Sequence, residues 1–333
     1  MKIYNTALKE DIMQVVKAQG QALLWDPEAF SQALAPYLTI YPEEVYLMQQ
    51  AVDLGLFDVR LLNRHFSIYD HVSVLSQFQE IDEEDALYMV CMVQQIIEQF
   101  DWDIMILNLD ETVDTALDHG DGRALYTLAL GFYDGLGVAQ DFEKAYDLFE
   151  KSYQQGYMQS CYYLGKMNQY GLGTEEDKEQ AKAYYLKGEK AEMHENAYGL
   201  GLLAEEDQVD PIPYYDESDL PAAAFAAGNY YLSHHDEAKA MMEYFRGAKQ
   251  LDPECMNAYG KIYMRSGGLH SGLKYITYAY YAGNEDATEY LGYLFVKGEG
   301  VEKNVGRGLE LLKQAADMGS EKAKELMSIY EAV

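Results

Sequence analysis

The sequence predicts an all-α protein in which a helical N-terminal domain leads into a solenoid of helix-turn-helix repeats. Three observations predict it. Leu128-Ala129 is answered by Leu164-Gly165 and again by Leu200-Gly201, each time 36 residues further on. The residues around that pair recur with it: Gly135/Gly137 at Gly171/Gly173, Asp141 at Asp177, Ala145 at Ala181, Phe149 at Tyr185 and Lys151 at Lys187. Near the end the block returns as Leu291, Gly292, Gly298, Gly300 and Val301. Fixed self-similarity at such a period marks stacked helical hairpins, none of which buries its apolar face alone.

Residues 1–108 read as helices outside the period and form the expected N-terminal domain. Ile12, Val15, Val16 and Leu23-Leu24 keep helical spacing over Leu8 to Leu24. Asp26-Pro27-Glu28 has the cap, proline and acid of a helix start, and that helix runs through Phe30 to Leu34 until Pro36. Tyr41-Pro42-Glu43-Glu44 opens a third, through Val45, Met48, Ala51 and Val52, which Gly55 ends. Asp82-Glu83-Glu84-Asp85 suits the positive end of a helix dipole ahead of Leu87 to Phe100. The stretch D-P-E-A-F-S-Q-A-L-A-P resembles a small helical module that precedes repeat arrays in some bacterial proteins.

The composition shifts between Asp101 and Gly122, and the second domain is expected over 109–333. Asp118 and Asp121 with their glycines lack the alternating oxygens of a calcium loop and read as a turn. From Gly122 each repeat opens with a helix carrying the Leu-Gly or Leu-Ala pair. A Gly-x-Gly turn follows, then a second helix that buries Ala145, Phe149 and Ser152 in the first repeat. The third repeat departs from this: prolines and acids over 207–220 argue for a loop or an irregular excursion in place of its second helix. Ala227-Gly228, Tyr259-Gly260 and Leu291-Gly292 then mark units at a shorter spacing of 32 residues. About six units result, with Ser320 to Tyr330 as a terminal helix.

Charge and cysteine use exclude several classes. With 25 Lys+Arg against 56 Asp+Glu, the formal charge of −31 repels nucleic-acid phosphates and anionic lipid. It would attract a basic protein or peptide, although solvated acidic surface accounts for the same number. Cys91, Cys161 and Cys255 are too few and scattered for a disulfide framework or zinc site. No signal peptide or membrane-length apolar run is visible, so the cytoplasm is the expected compartment.

The repeated residues resemble the Sel-one-like repeat family, a branch of the tetratricopeptide-like helical hairpins, over 122–190 and 286–330. The resemblance implies a right-handed superhelix that grips other proteins along a concave groove. Cysteine-rich members of that family, known as penicillin-binding, stitch each repeat with a cysteine pair. Cys161 stands alone in its repeat, so that activity is not implied.

On each first helix the residues two before, two after and five after the anchor Leu point away from the anchor face. The resemblance implies that they line the groove: Tyr126, Leu130 and Tyr133, then Tyr162, Lys166 and Gln169, then Tyr198, Leu202 and Glu205. Phe225, Asn229 and Leu232 follow, then Asn257, Lys261 and Met264 with Arg265 beside them, and Glu289, Tyr293 and Val296. Tyr126, Tyr162 and Tyr198 thus form a ladder, and tyrosine combines wide contact area with a hydroxyl for a peptide backbone. Packing between repeats would use the same rings. Tyr163, Tyr185, Tyr244 and Tyr290 fall off that face and are expected in the core. Lys261, Arg265, Asn229 and Asn257 match, in residue type, the carboxylate clamps of related grooves.

Catalytic and metal signals are weak. His234-His235-Asp236-Glu237 sits on a turn where adjacent side chains diverge and the acids start a helix. No H-E-x-x-H, phosphate-binding loop or G-x-S-x-G occurs. The expected function is a non-catalytic protein- or peptide-binding scaffold without cofactor, nucleic-acid or membrane partner, its oligomeric state open. A peptide-sensing regulator, whose N-terminal domain contacts an output partner, is the alternative. A hydrolase of β-lactam type rests on family analogy alone.

Overall fold

The computed structural model describes residues 3–19, 23–24, 26–54, 56, 72, 75–76, 81–98, 109–135 and 138–330. Among these there are helices and no strand. In chain order they are α1 (Leu8–Gln19), α2 (Pro27–Leu34), α3 (Pro42–Asp53), α4 (Glu83–Glu98), α5 (Leu109–Asp118) and α6 (Gly122–Asp134). Then come α7 (Phe142–Gln154), α8 (Ser160–Tyr170), α9 (Lys178–Lys190), α10 (Glu195–Glu206), α11 (Ile212–Glu217) and α12 (Pro221–Ser233). The last are α13 (Glu237–Ala248), α14 (Pro253–Arg265), α15 (Leu269–Tyr281), α16 (Glu285–Lys297), α17 (Val305–Met318) and α18 (Glu321–Tyr330). Two compact units form, one from 101–236 and one from 1–100 together with 237–333. The expected domain boundary after residue 108 adjoins the segment 99–108, which lies outside the described residues, as do Gly55 and Gly137.

In the unit 101–236 every helix from α5 to α12 packs on the next. The repeated acid sets where second helices begin. Asp141 accepts the Lys144 N–H at 3.0 Å and Asp177 the Gln180 N–H at 2.9 Å, satisfying a donor that the first turn leaves orphaned. That backbone bond holds the Asp141 carboxyl below the usual carboxylate range. First helices end on glycine in the left-handed region, at Gly135 and Gly171. Gly173 has φ +69°, and a Cβ there would meet the Phe142 carbonyl at 2.1 Å, so no other residue fits that turn.

Ala145, Phe149 and Ser152 are buried against α6, whose core face is centred on Leu125, Ala129 and Phe132 while Leu128 is only half-buried. In the second and third repeats the small residue of the pair makes room for one particular ring. A Cβ on Gly165 would lie 2.4 Å from Cε1 of Tyr185, and one on Gly201 would lie 2.4 Å from Cε1 of Tyr215. Tyr215 belongs to α11, so the expected loop over 207–220 contains a helix of 6 residues that supplies the aromatic of a second helix. Pro211 and Pro213 do not prevent it because they fall at the cap and within the first turn, where no N–H is needed.

In the other unit, α13 to α18 also pack in succession, and α4 lies against α1, α3 and α15. Leu8, Ile12 and Val16 of α1, Val45 and Met48 of α3, and Leu87, Tyr88 and Cys91 of α4 are all buried. Asn304 caps α17 through the Arg307 N–H at 3.0 Å, as the repeated aspartates do elsewhere. Cys91, Cys161 and Cys255 are buried, and none of them forms a disulfide. No described helix is long and apolar enough to cross a membrane.

Candidate peptide-binding surfaces

Tyr126, Tyr162 and Tyr198 on the first helices of the unit 101–236 share one kind of neighbour and differ in burial. Each ring sits beside the aromatic of its own second helix: Tyr126 is 5.6 Å from Phe149, Tyr162 is 6.3 Å from Tyr185, and Tyr198 is 6.1 Å from Tyr215. Such tilted and edge-on pairs contribute about 0.5–1.5 kcal/mol beyond area burial, which fixes the rings on the helices that carry them. Tyr126 is 9% exposed, with Tyr157 and Tyr163 also against it, whereas Tyr162 and Tyr198 are half-buried. Burial pushes the phenols of Tyr126, Tyr162 and Tyr185 well above their ordinary value.

Tyr133 joins this cluster through Tyr163 at 5.2 Å, and Lys166 places its ammonium 5.5 Å from the Tyr133 ring centre. Gln169 is turned inward, 2% exposed. Its carbonyl accepts the Tyr185 hydroxyl at 2.9 Å and its amide donates to Glu206, which also pairs with Lys178 at 2.7 Å. Lys178 is the first cause that holds the Glu206 carboxyl below its ordinary range. Asn229 is exposed on α12. Of the rings expected in the core, Tyr185 and Tyr244 are fully buried, while Tyr163 and Tyr290 are half-buried.

Two joints between hairpins differ in kind. Phe149 stacks on Tyr163 at 4.8 Å and 10°. In the next joint Gly199 stands where Tyr163 stood, and a Cβ there would lie 2.3 Å from Cζ of Tyr185. One joint is ring on ring, the other ring in notch.

In the unit formed by 1–100 and 237–333, Asn257 and Lys261 converge on one carboxylate. Asn257 is 3% exposed and donates to Asp286 at 2.8 Å; Lys261 pairs with the same oxygen and lies 5.1 Å from the Tyr290 ring centre. Burial acts to raise the Asp286 carboxyl, but Lys261 and Asn257 outweigh it and hold it below the usual range. Arg265 pairs with Glu237 at 3.0 Å, and Tyr293 stacks on Tyr290 at 6.2 Å. A carboxylate arriving at Lys261 or Arg265 therefore competes with one already in place.

Sequence reasoning missed a second set of tyrosines in this unit. Tyr88 and Tyr281, both buried, enclose the ring of Tyr4, with Tyr280 alongside. The run Tyr278-Ala279-Tyr280-Tyr281 was a visible signal, but nothing in the repeat spacing ties it to Tyr4. Among the described residues no cluster of His, Cys, Asp and Glu is arranged to hold a metal ion.

Residues 122–157, 159–191 and 286–320 each match the Sel1 repeat. A Sel1 repeat protein from Oxalobacter formigenes is similar over 60% of this chain and 89% of its own, at 21% identity and a TM-score of 0.53. The protein c5321, a protective antigen present in uropathogenic Escherichia coli strains and displaying an SLR fold, is similar over 97% of this chain and 70% of its own. Its identity is 15% and its TM-score 0.55. At such identities the likeness is one of fold. No curated protein matches the sequence.

Proposed function

Because the chain is a Sel1-like repeat protein, we propose that it is a non-catalytic scaffold holding a protein or peptide against the first-helix tyrosines of its hairpins. One observation carries this reading. In three successive hairpins a tyrosine at the same position is braced by its own second-helix aromatic, at 5.6, 6.3 and 6.1 Å. Rings already fixed lose little freedom when a flexible ligand lies across them, so more of the contact energy appears as affinity. Tyr162 and Tyr198 keep part of their surface open, and Lys166 and Tyr133 extend the same face. The formal charge of −31 favours a basic partner and disfavours nucleic acid. A cytoplasmic setting, a first domain ending near residue 108 and about six repeat units belong to the same proposal, as does a minor binding role for Asn229 in the unit 101–236 and, separately, for Asn257, Lys261, Arg265 and Tyr293 in the other unit.

The test is affinity capture from the native cell with the full chain, repeated with Tyr162→Ala/Tyr198→Ala and with Lys166→Glu. Lys324→Glu, an exposed change on the terminal helix, serves as control. Partners lost with the first two and kept with the control support the face. Recovery of the same partner undiminished from all three variants counts against it.

A further inference from the structure

Residues Tyr4 to Thr6 run without helical or strand hydrogen bonds, yet each of their N–H groups is met by a side chain from elsewhere. Tyr4 N–H donates to the Tyr281 hydroxyl at 2.7 Å, Asn5 N–H to Glu44 at 2.8 Å, and Thr6 N–H to the Tyr280 hydroxyl at 3.0 Å. The Asn5 carbonyl accepts the Tyr88 hydroxyl at 3.0 Å. The Tyr4 ring is 3% exposed, 5.0 Å from Tyr88 and 6.0 Å from Tyr281, and its hydroxyl donates to Asp85. Polar side chains on fixed helices reading a main chain, with one aromatic in an anchor pocket, is the chemistry of peptide recognition.

The surroundings define the occupant further. Glu43, Glu44, Asp82 and Asp85 act on this pocket and outnumber Arg307, which donates to the Tyr280 hydroxyl at 3.3 Å, so the field favours a neutral or basic segment. Beyond Thr6 a cleft of about 490 Å³ opens, bordered by Thr6, Lys9, Gln95, Tyr280, Gln314 and Asp317. A longer chain has room to continue there. The helical core of this unit begins only at Leu8, so residues 3–7 form a strap that leads into α1.

We propose that α3, α4 and α15 form a peptide-binding site that the chain fills with its own residues 3–7, and that an extended, tyrosine-bearing, basic segment of a partner protein displaces them. The site uses none of the hairpin-face residues in the unit 101–236, so each reading can fail without the other.

The experiment titrates a fluorescent peptide of residues 1–9 against the full chain by anisotropy. The native strap competes at an effective concentration on the order of 1 mM. Tyr4→Ala, which frees the pocket, should therefore bind the peptide about tenfold more tightly than the native chain. Tyr4→Ala with native helicity and melting but no gain in peptide binding overturns the proposal. Should Tyr4→Ala not fold, Tyr4→Phe keeps the ring and loses the hydroxyl that donates to Asp85. It should gain several-fold over the native chain, and no gain overturns the proposal equally. Amide exchange in the native chain gives a separate readout. Tyr4 and Thr6 amides exchanging faster than those of α15 support a displaceable strap. Equal protection means that the strap leaves only on unfolding, and sinks the idea. Concentration-dependent dimers of the native chain would assign the pocket to a second copy and overturn the partner class.

Discussion

Gly165→Ala sets two magnitudes against each other. In an exposed helix the change stabilises by about 1 kcal/mol through chain entropy. Here the new methyl lies 2.4 Å from Cε1 and 2.5 Å from Cδ1 of Tyr185. Ordinary carbon contacts begin near 3.5 Å, so the ring must retreat by about 1 Å. Its way back is blocked, because Gly199 already leaves no room for a Cβ on that ring. Retreat also strains the 2.9 Å bond from the Tyr185 hydroxyl to Gln169. Overpacking costs about 1–3 kcal/mol and a weakened buried hydrogen bond about 1 kcal/mol. The net loss is about 2 kcal/mol, which lowers the melting temperature by about 4–8 °C for a unit of this size. Thermal unfolding of the full chain by circular dichroism measures it. In a Tyr185→Leu background the same methyl should cost nothing. Unchanged or raised melting of Gly165→Ala in the native background would refute the argument, since propensity would then have won over packing.

Other outcomes follow from the same geometry. Tyr215→Ala should destabilise by about 3 kcal/mol, as a fully buried aromatic does, whereas an aromatic on a loose loop would lose almost nothing in urea unfolding. Lys261→Met should destabilise by about 0.5 kcal/mol near neutral pH, since Asp286 remains partly exposed. Asp286 has a depressed carboxyl in the folded chain, so its pairing stabilises above the ordinary carboxylate value and is lost as pH falls through the folded one. The difference between native and Lys261→Met melting curves should accordingly close in acid. Burial pushes the Cys91 thiol up to about 12 and the Cys161 thiol up to about 11. Both should resist alkylation at pH 8 in the native chain and react on denaturation, as mass spectrometry would record.

The repeat spacing made the hairpins legible because each period carries its own packing instruction. A small residue on one helix and an aromatic on the next are visible in any window that holds both. Tyr185 follows from that logic and is buried against Gly165. The half-exposure of Tyr163 does not follow, because it depends on the neighbour that a given joint presents. Prolines at 211 and 213 looked like helix breakers, since their effect turns on whether they fall in a first turn, and spacing does not say. The Tyr4 pocket was out of reach for another reason. Tyr4 and Tyr281 are 277 positions apart, and no periodicity links a strap to a helix on which the chain folds back.

The difference between the two joints bears on how such an array can change length. A hairpin whose neighbour offers a flat phenol cannot be exchanged for one whose neighbour offers bare backbone. Moving α8/α9 into the place of α6/α7 would bring Tyr185 against a side chain rather than a gap. Duplication or loss of a unit thus demands a matched change in the adjoining helix, and the order of the hairpins is written into their edges.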